Sequence, residues 1–365
     1  MAVLLPRKNL DKIRPYEPGR PIEDVAKELG IDDEIIKLAS NENPLGISPR
    51  ARQVLLDHIN DGNFYPDDSG YYLREKLAQK YGVDFNMTIL GNGSVDLIYL
   101  VALAFLEPGN NLIMTRSAFV IAKIATYIMD ADLIEVEPDE HTTHDLEAIL
   151  NRVNDQTKVI YLDNPINPFG TKVSREAFDR FISRIPPHVL VVSDEAYYEY
   201  IVDDYIDSMK WLRKGKNILI LHTFSKIYGM AGLRIGYGLA KPEIIQALMK
   251  VRLPFNANRL AQMAAIAALD DKEHVEKSIK NNDVGKEYLY EEYGRLGLSY
   301  LPTSANFIFV DFKTDALKIF EDLKRLGVIA RPIPQYGLPT AMRISIGNEH
   351  QNKKLIAALK KVLKG

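Results

Sequence analysis

Between positions 112 and 192 the chain alternates regularly. Short unbroken apolar runs at 112–114, 133–136, 159–162 and 189–192 read as strands buried on both faces. Between them, 119–129, 146–153 and 175–184 carry helical patterns. Strands alternating with helices predict an α/β fold with a mostly parallel sheet covered on both sides. Upstream, Ile89-Leu90 leads through Gly91-Asn92-Gly93-Ser94 into an apolar helix ending near Leu106, with Ser94 as its cap. Ser48-Pro49 opens an earlier helix by the same logic. Downstream, 218–221 is one more buried strand, and a helix follows Pro242 over 244–251.

Beyond 252 the rhythm changes. The segment 252–258 reads as a hinge, helical patterns then run to about 296, and strands at 306–312, 328–332 and 342–346 mix with helices at 316–326 and 350–363. This predicts a small α+β domain. At the other end, Pro6, Pro15, Pro18 and Pro21 interrupt any helix, so residues 1–40 read as an arm joined to part of the small domain. The expected division is therefore 1–40, a large domain over 41–252, and 253–365.

Composition narrows the function classes. A net charge of -3 leaves no electrostatic footprint for nucleic acid, and the absence of cysteine removes thiol catalysis and Cys-ligated metal. No metal-ligand motif stands out. The apolar start, MAVLLPRKNLDKIRP, is too short for a signal peptide or a membrane span, so a cytoplasmic enzyme is expected.

Ligands of such sheets bind at the carboxyl ends of the strands. Three polar stretches fall there: 164–170 (NPINPFG), 193–197 (SDEAY) and 222–240 (HTFSKIYGMAGLRIGYGLA). In the last, Thr223, Ser225 and Lys226 leave a buried strand into a Gly-rich segment, with Arg234 eight residues after the lysine. Hydroxyl donors and a planar guanidinium suit a phosphate, and an amine in their midst suits Schiff-base chemistry with a carbonyl held by its phosphate handle. The bland alternative for each residue alone is a surface lysine and a structural arginine; the cluster is what favours the cradle. The Gly93-Ser94 turn entering a helix is a second anion site, but a third glycine is missing and a dinucleotide is disfavoured. Asp194, after a buried strand, needs a cationic or hydrogen-bonding partner. Tyr197 and the proline-flanked Asn167 lie beside it, and Arg331 and Arg343 occupy strands of the small domain, where a guanidinium is either surface-exposed or ligand-binding.

Taken together, IRPYEPG, LASNENPLG, NFYPD, GNGS, NPINPFGT, SDEAYYEY, HTFSKIYGMAGLRIGYGLA, RPIPQYGLP and MRISIGN make the chain similar to the histidinol-phosphate aminotransferase family of pyridoxal-phosphate enzymes. The resemblance implies an aspartate-aminotransferase-like (fold type I) large domain that binds pyridoxal 5'-phosphate. By that resemblance Lys226 carries the cofactor and shuttles a proton, Asp194 pairs with the ring nitrogen, and Tyr197 and Asn167 reach the ring's 3'-oxygen. Phe119 stacks on the ring, while Gly93, Ser94, Val95, Thr223, Ser225 and Arg234 hold the phosphate. Tyr65 reaches the cofactor phosphate of the other subunit of a homodimer. Arg331 and Arg343, helped by Tyr16 from the partner's arm and by Asn167, take the substrate anions: histidinol phosphate in one half-reaction, glutamate or 2-oxoglutarate in the other.

The chain departs from the family pattern in places. Val95-Asp96 follows GNGS, Ala122 stands where a tyrosine is common, and Ile166 and Phe169 replace polar residues, which predicts a greasier pocket. Related expectations are an aromatic aminotransferase or a decarboxylase of a phospho-amino acid such as threonine phosphate; a non-catalytic binding protein of the same fold is the remote one.

Overall fold

In strand β5 (Thr157–Asp163) successive residues serve opposite cores. Val159 and Tyr161 pack into one apolar cluster, Ile160 and Leu162 into another, which is why the run is apolar without alternation. The computed structural model describes residues 5–15, 24, 26–27, 30 and 34–364. Its other strands, in order, are β1 (Ile36–Lys37), β2 (Thr88–Gly91), β3 (Asn111–Thr115), β4 (Asp132–Val136), β6 (Leu190–Asp194), β7 (Ile218–Thr223) and β8 (Gly236–Leu239). Strands β2 to β8 form one sheet, in the order β2-β8-β7-β6-β5-β3-β4. Neighbours run parallel except around β8, which opposes both β2 and β7. Helices Ser94–Phe105, Ile121–Ile128 and Pro242–Val251 contribute to the core on one face, and Tyr71–Tyr81 and Arg175–Arg184 to that on the other.

The second unit is a four-stranded antiparallel sheet, β12-β13-β10-β9, built from β9 (Ser299–Tyr300), β10 (Phe307–Asp311), β12 (Arg331–Ile333) and β13 (Leu338–Ser345). Between β10 and β12, β11 (Val328–Ile329) pairs in parallel with β1, so the chain just before position 40 belongs structurally with the C-terminal part. Helices Lys272–Arg295, Ala316–Arg325 and Glu349–Val362 close its core.

Four details differ from the sequence reading. Strand β8 lies where only a glycine-rich turn was expected. The arm contains a short 3-10 helix, Lys8–Lys12, fixed by Asn9 Nδ2 donating 2.7 Å to the Tyr127 carbonyl. Gly93 (φ 79°), not Ser94, occupies the N-cap of Ser94–Phe105; Ser94 is its first residue. Finally, helix Arg259–Ala268 packs on helices Pro49–His58 and Tyr71–Tyr81 and sends Ala261, Ala264 and Ala265 into the core of the large sheet, which argues for a division after that helix rather than at 252. Asp271 supports this reading: it caps the long helix through the His274 amide and also accepts a 2.6 Å hydrogen bond from Ser48 Oγ, pinning the two units together. Among the described residues no helix is long and apolar enough to cross a membrane.

Candidate active site

The carboxyl ends of β5, β6 and β7 face the edge of the small sheet across a cavity of about 260 Å³. Lys226 enters it from the loop after β7. That loop is held by the Ser225 amide donating to Thr223 Oγ1 (3.1 Å) and by Gly229, whose positive φ and contact with Gly46 leave no room for a side chain. The amine donates to the Ser40 carbonyl (3.4 Å) and sits 5.6 Å from the Tyr197 ring centre. Burial, then the nearby Arg343 cation, pull its pKa down to about 8. A lysine so shifted has a usable neutral fraction near neutrality, as a nucleophile or proton carrier requires.

At one end of the cavity lies an anion cradle. Arg234, in the left-handed region at φ 55°, donates to Ser225 Oγ (3.3 Å) and the Ala231 carbonyl (3.0 Å). Its guanidinium passes so close to Gly93 that a Cβ there would lie 2.3 Å from Nη2. Thr223 and Ser225 add hydroxyls, and the first turn of Ser94–Phe105 adds outward amides and the positive end of the helix dipole.

Asp194, at the end of β6, is buried. Tyr161 donates 2.9 Å to its Oδ2, while its Oδ1 has no hydrogen-bond partner among the described residues. Burial raises its pKa to about 6, against the pull of the Tyr161 hydroxyl. Tyr197 receives hydrogen bonds from Asn41 Nδ2 (2.9 Å) and Asn167 Nδ2 (3.4 Å), and burial pushes its phenol up to about 12. Opposite, Arg331 and Arg343 are register partners on β12 and β13 and both line the cavity. Arg343 also reaches across, donating 2.8 Å to Asn167 Oδ1 and 2.6 Å to the Ala39 carbonyl.

These parts fit pyridoxal 5'-phosphate. A buried carboxylate oxygen without a partner calls for a cationic N–H, a lysine amine stands ready for an aldehyde, and the cradle supplies donors for a phosphate. The model of the family described as aminotransferase class I and II matches residues 33–359. The chain belongs to that family. Among its relatives, the histidinol-phosphate aminotransferase of Moorella thermoacetica is 46% identical over 98% of this chain and 92% of its own. Histidinol-phosphate aminotransferase 2 of Carboxydothermus hydrogenoformans is 42% identical over 98% and 99%. The solved histidinol-phosphate aminotransferase of Sinorhizobium meliloti, in complex with pyridoxal-5'-phosphate, superposes with a TM-score of 0.89 at 26% identity, covering 100% of this chain and 99% of that one.

In this aminotransferase most residues singled out in the sequence line one cavity: Ser94, Val95 and Phe119, Asn167, Asp194 and Tyr197, the 223–226 loop with Arg234, and the two arginines of the small sheet. Gly93 stands just behind the lining, against Arg234. Tyr65 is elsewhere: it is 78% exposed and stacked on Phe255 at 4.6 Å. Tyr16 lies outside the described residues. The greasier pocket is not found. Ile166 and Phe169 are buried in a separate cluster with Phe309 and Ile333, and Ala122 in the core beneath the sheet, so their apolar character packs the frame and not the lining. Asp96 accepts from the Asn92 amide (2.9 Å) and Asn256 Nδ2 (2.8 Å), so the Val95-Asp96 departure leaves a locked turn. Sequence reasoning missed Asp163 and the Ser40–Glu42 wall. Asp163 sits in an Asp-Asn-Pro turn signal, and only the register of β5 with β6 shows that it stands beside Asp194.

Proposed function

We propose that this aminotransferase exchanges an amino group between L-histidinol phosphate and 2-oxoglutarate, as a step of histidine biosynthesis in the cytoplasm. The single observation that carries the reading is the double anion geometry: a cradle around Arg234 at one end of the cavity, two guanidinium groups at the other, and a depressed lysine between them. One anion site serves the cofactor; the other suits a phosphorylated or dicarboxylic substrate, because a planar fork accepts both anions. The names of relatives more than 40% identical over nearly the whole chain support the substrate.

When bound, pyridoxal 5'-phosphate supplies an aldehyde to take up the amino group and a ring to accept the electron pair released at the substrate carbon. The rest falls to the chain. Arg234, Ser225, Thr223 and the Gly93-Ser94-Val95 turn would hold the phosphate. Asp194 would hold a proton at the ring nitrogen through its unpaired oxygen, and Tyr197 and Asn167 would face the ring's oxygen substituent. Lys226, in its neutral form, would hold and move a proton at its Nζ beside the substrate carbon. Arg331 and Arg343 orient the anionic end of each substrate. A homodimer is supported by the exposed aromatic surface of Phe64, Tyr65 and Phe255, which a second copy would cover.

Absorbance spectroscopy of the purified protein tests this. A visible band that bleaches with glutamate or histidinol phosphate and returns with 2-oxoglutarate is expected, with ping-pong kinetics. The specificity constant for histidinol phosphate should exceed those for phenylalanine and threonine phosphate. A protein that never acquires the band, or that prefers either competitor, refutes the assignment.

A further inference from the structure

Two acids stand side by side in the cavity. Asp163 ends β5, Asp194 ends β6, and they are register partners in neighbouring parallel strands, about 4.8 Å apart along the backbone. Asp163 is 4% exposed. Its Oδ2 accepts two backbone amides from different segments: Phe119, 3.1 Å away in the turn before Ile121–Ile128, and Asn167, 2.9 Å away in the Asn-Pro loop. Its Oδ1 is buried and has no hydrogen-bond partner among the described residues, and Asp163 is part of the cavity wall.

The nearest ring nitrogen, His144 Nε2, is 3.6 Å from that oxygen and 2.9 Å from the Asp163 carbonyl. A carbonyl only accepts, so Nε2 carries the hydrogen, and Nδ1 accepts from Thr115 Oγ1 at 2.6 Å. Burial holds the His144 pKa down to about 4, so the ring is neutral and offers Asp163 no countercharge. Asp194, by contrast, is favoured in its charged form by the Tyr161 hydroxyl, the Ala196 amide and the Lys226 cation. Two adjacent buried carboxyls do not both ionise cheaply, and burial raises Asp163 well above its ordinary value, with the Asp194 charge adding to it. Asp163 is the member that keeps the proton.

We propose that Asp163 is a positioning residue of the cofactor pocket: one of its oxygens ties the Phe119 turn to the Asn167 loop and so sets the slot between them, while the other stays buried beside His144. The inference rests on the cofactor reading given above. It assigns no charge to the clamp. A carboxamide would therefore serve as well as the acid, because its carbonyl accepts both amides and its NH2 replaces the acid proton.

The test compares wild type with Asp163→Asn, Asp163→Ala and Asp163→Val, the last keeping a strand-forming shape should alanine fail to fold. Each apoenzyme is titrated with pyridoxal 5'-phosphate by absorbance, and hydrogen exchange is followed in peptides spanning Phe119 and Asn167 before cofactor is added. Asp163→Asn should bind within about threefold of wild type and keep both amides protected. Asp163→Ala and Asp163→Val should bind at least tenfold more weakly and lose that protection, with kcat falling more than KM rises. Binding by the alanine or valine chain equal to wild type overturns the inference, as does an asparagine chain as weak as they are. Failure of wild type itself to bind would instead overturn the cofactor reading.

Discussion

Lys226 shows how burial sets chemistry. At a pKa of about 8, about a tenth of the amine is neutral at pH 7, against a few parts in ten thousand at the ordinary value of 10.5. Only the neutral form attacks a carbonyl, so capture of pyridoxal 5'-phosphate by the apoenzyme should quicken about tenfold per pH unit below 8 and level off above it. Stopped-flow absorbance checks this; a rate still climbing at pH 10 would mean the amine is not shifted. Lys226→Ala should lower kcat by about a thousandfold or more, since it removes both nucleophile and proton carrier. Asp194→Ala should cost about a hundredfold or more in kcat while cofactor still binds through the cradle, measurable by comparing turnover with equilibrium titration. An unchanged rate would remove Asp194 from its role.

Elements were legible in the sequence where one period dominated. Strands β3 to β7 and helix Arg175–Arg184 follow from apolar runs and spacing alone. Strand β8 escaped because its glycines look like a turn. In the fold they are contact residues: a Cβ on Gly236 would lie 2.5 Å from the Ser94 amide nitrogen, and one on Gly238 within 3.1 Å of Leu219. The cavity-lining residues at the strand ends were legible for a related reason, since polar residues that interrupt a buried strand end must face something. Asp163 was not, because its place in the cavity wall beside Asp194 comes from a cross-strand register that no spacing announces. Two substitutions probe this scale. Gly229→Ala should destabilise by about 1–3 kcal/mol from its positive φ, with the Gly46 overlap adding to it, as read by urea unfolding. Ser48→Ala removes both a helix cap and the 2.6 Å bond to Asp271, and should cost about 1–2 kcal/mol.

At the scale of the whole molecule, the exposed Tyr65–Phe255 stack is the test of assembly. If Tyr65 completes the partner's site, Tyr65→Ala and Lys226→Ala chains, each impaired alone, should recover activity when mixed and reassembled. Random pairing gives one intact site in half of the dimers, so about a quarter of wild-type activity is expected. No recovery, with hybrids verified by mass spectrometry, would place Tyr65 outside the site. Sequence reading set the boundary of the large unit at 252. The alanine-rich helix Arg259–Ala268 argues for a later one: small residues carry little periodic signal, yet they let helices approach closely enough to join the core.

The groups that would grip the cofactor project from the large sheet and its flanking helix, whereas Arg331 and Arg343 stand on another sheet altogether. If these roles hold, chemistry and taste are written on separate pieces of backbone. Descendants of this chain would then acquire new diets by editing β12, β13 and the turn between them, leaving the reactive apparatus as inherited.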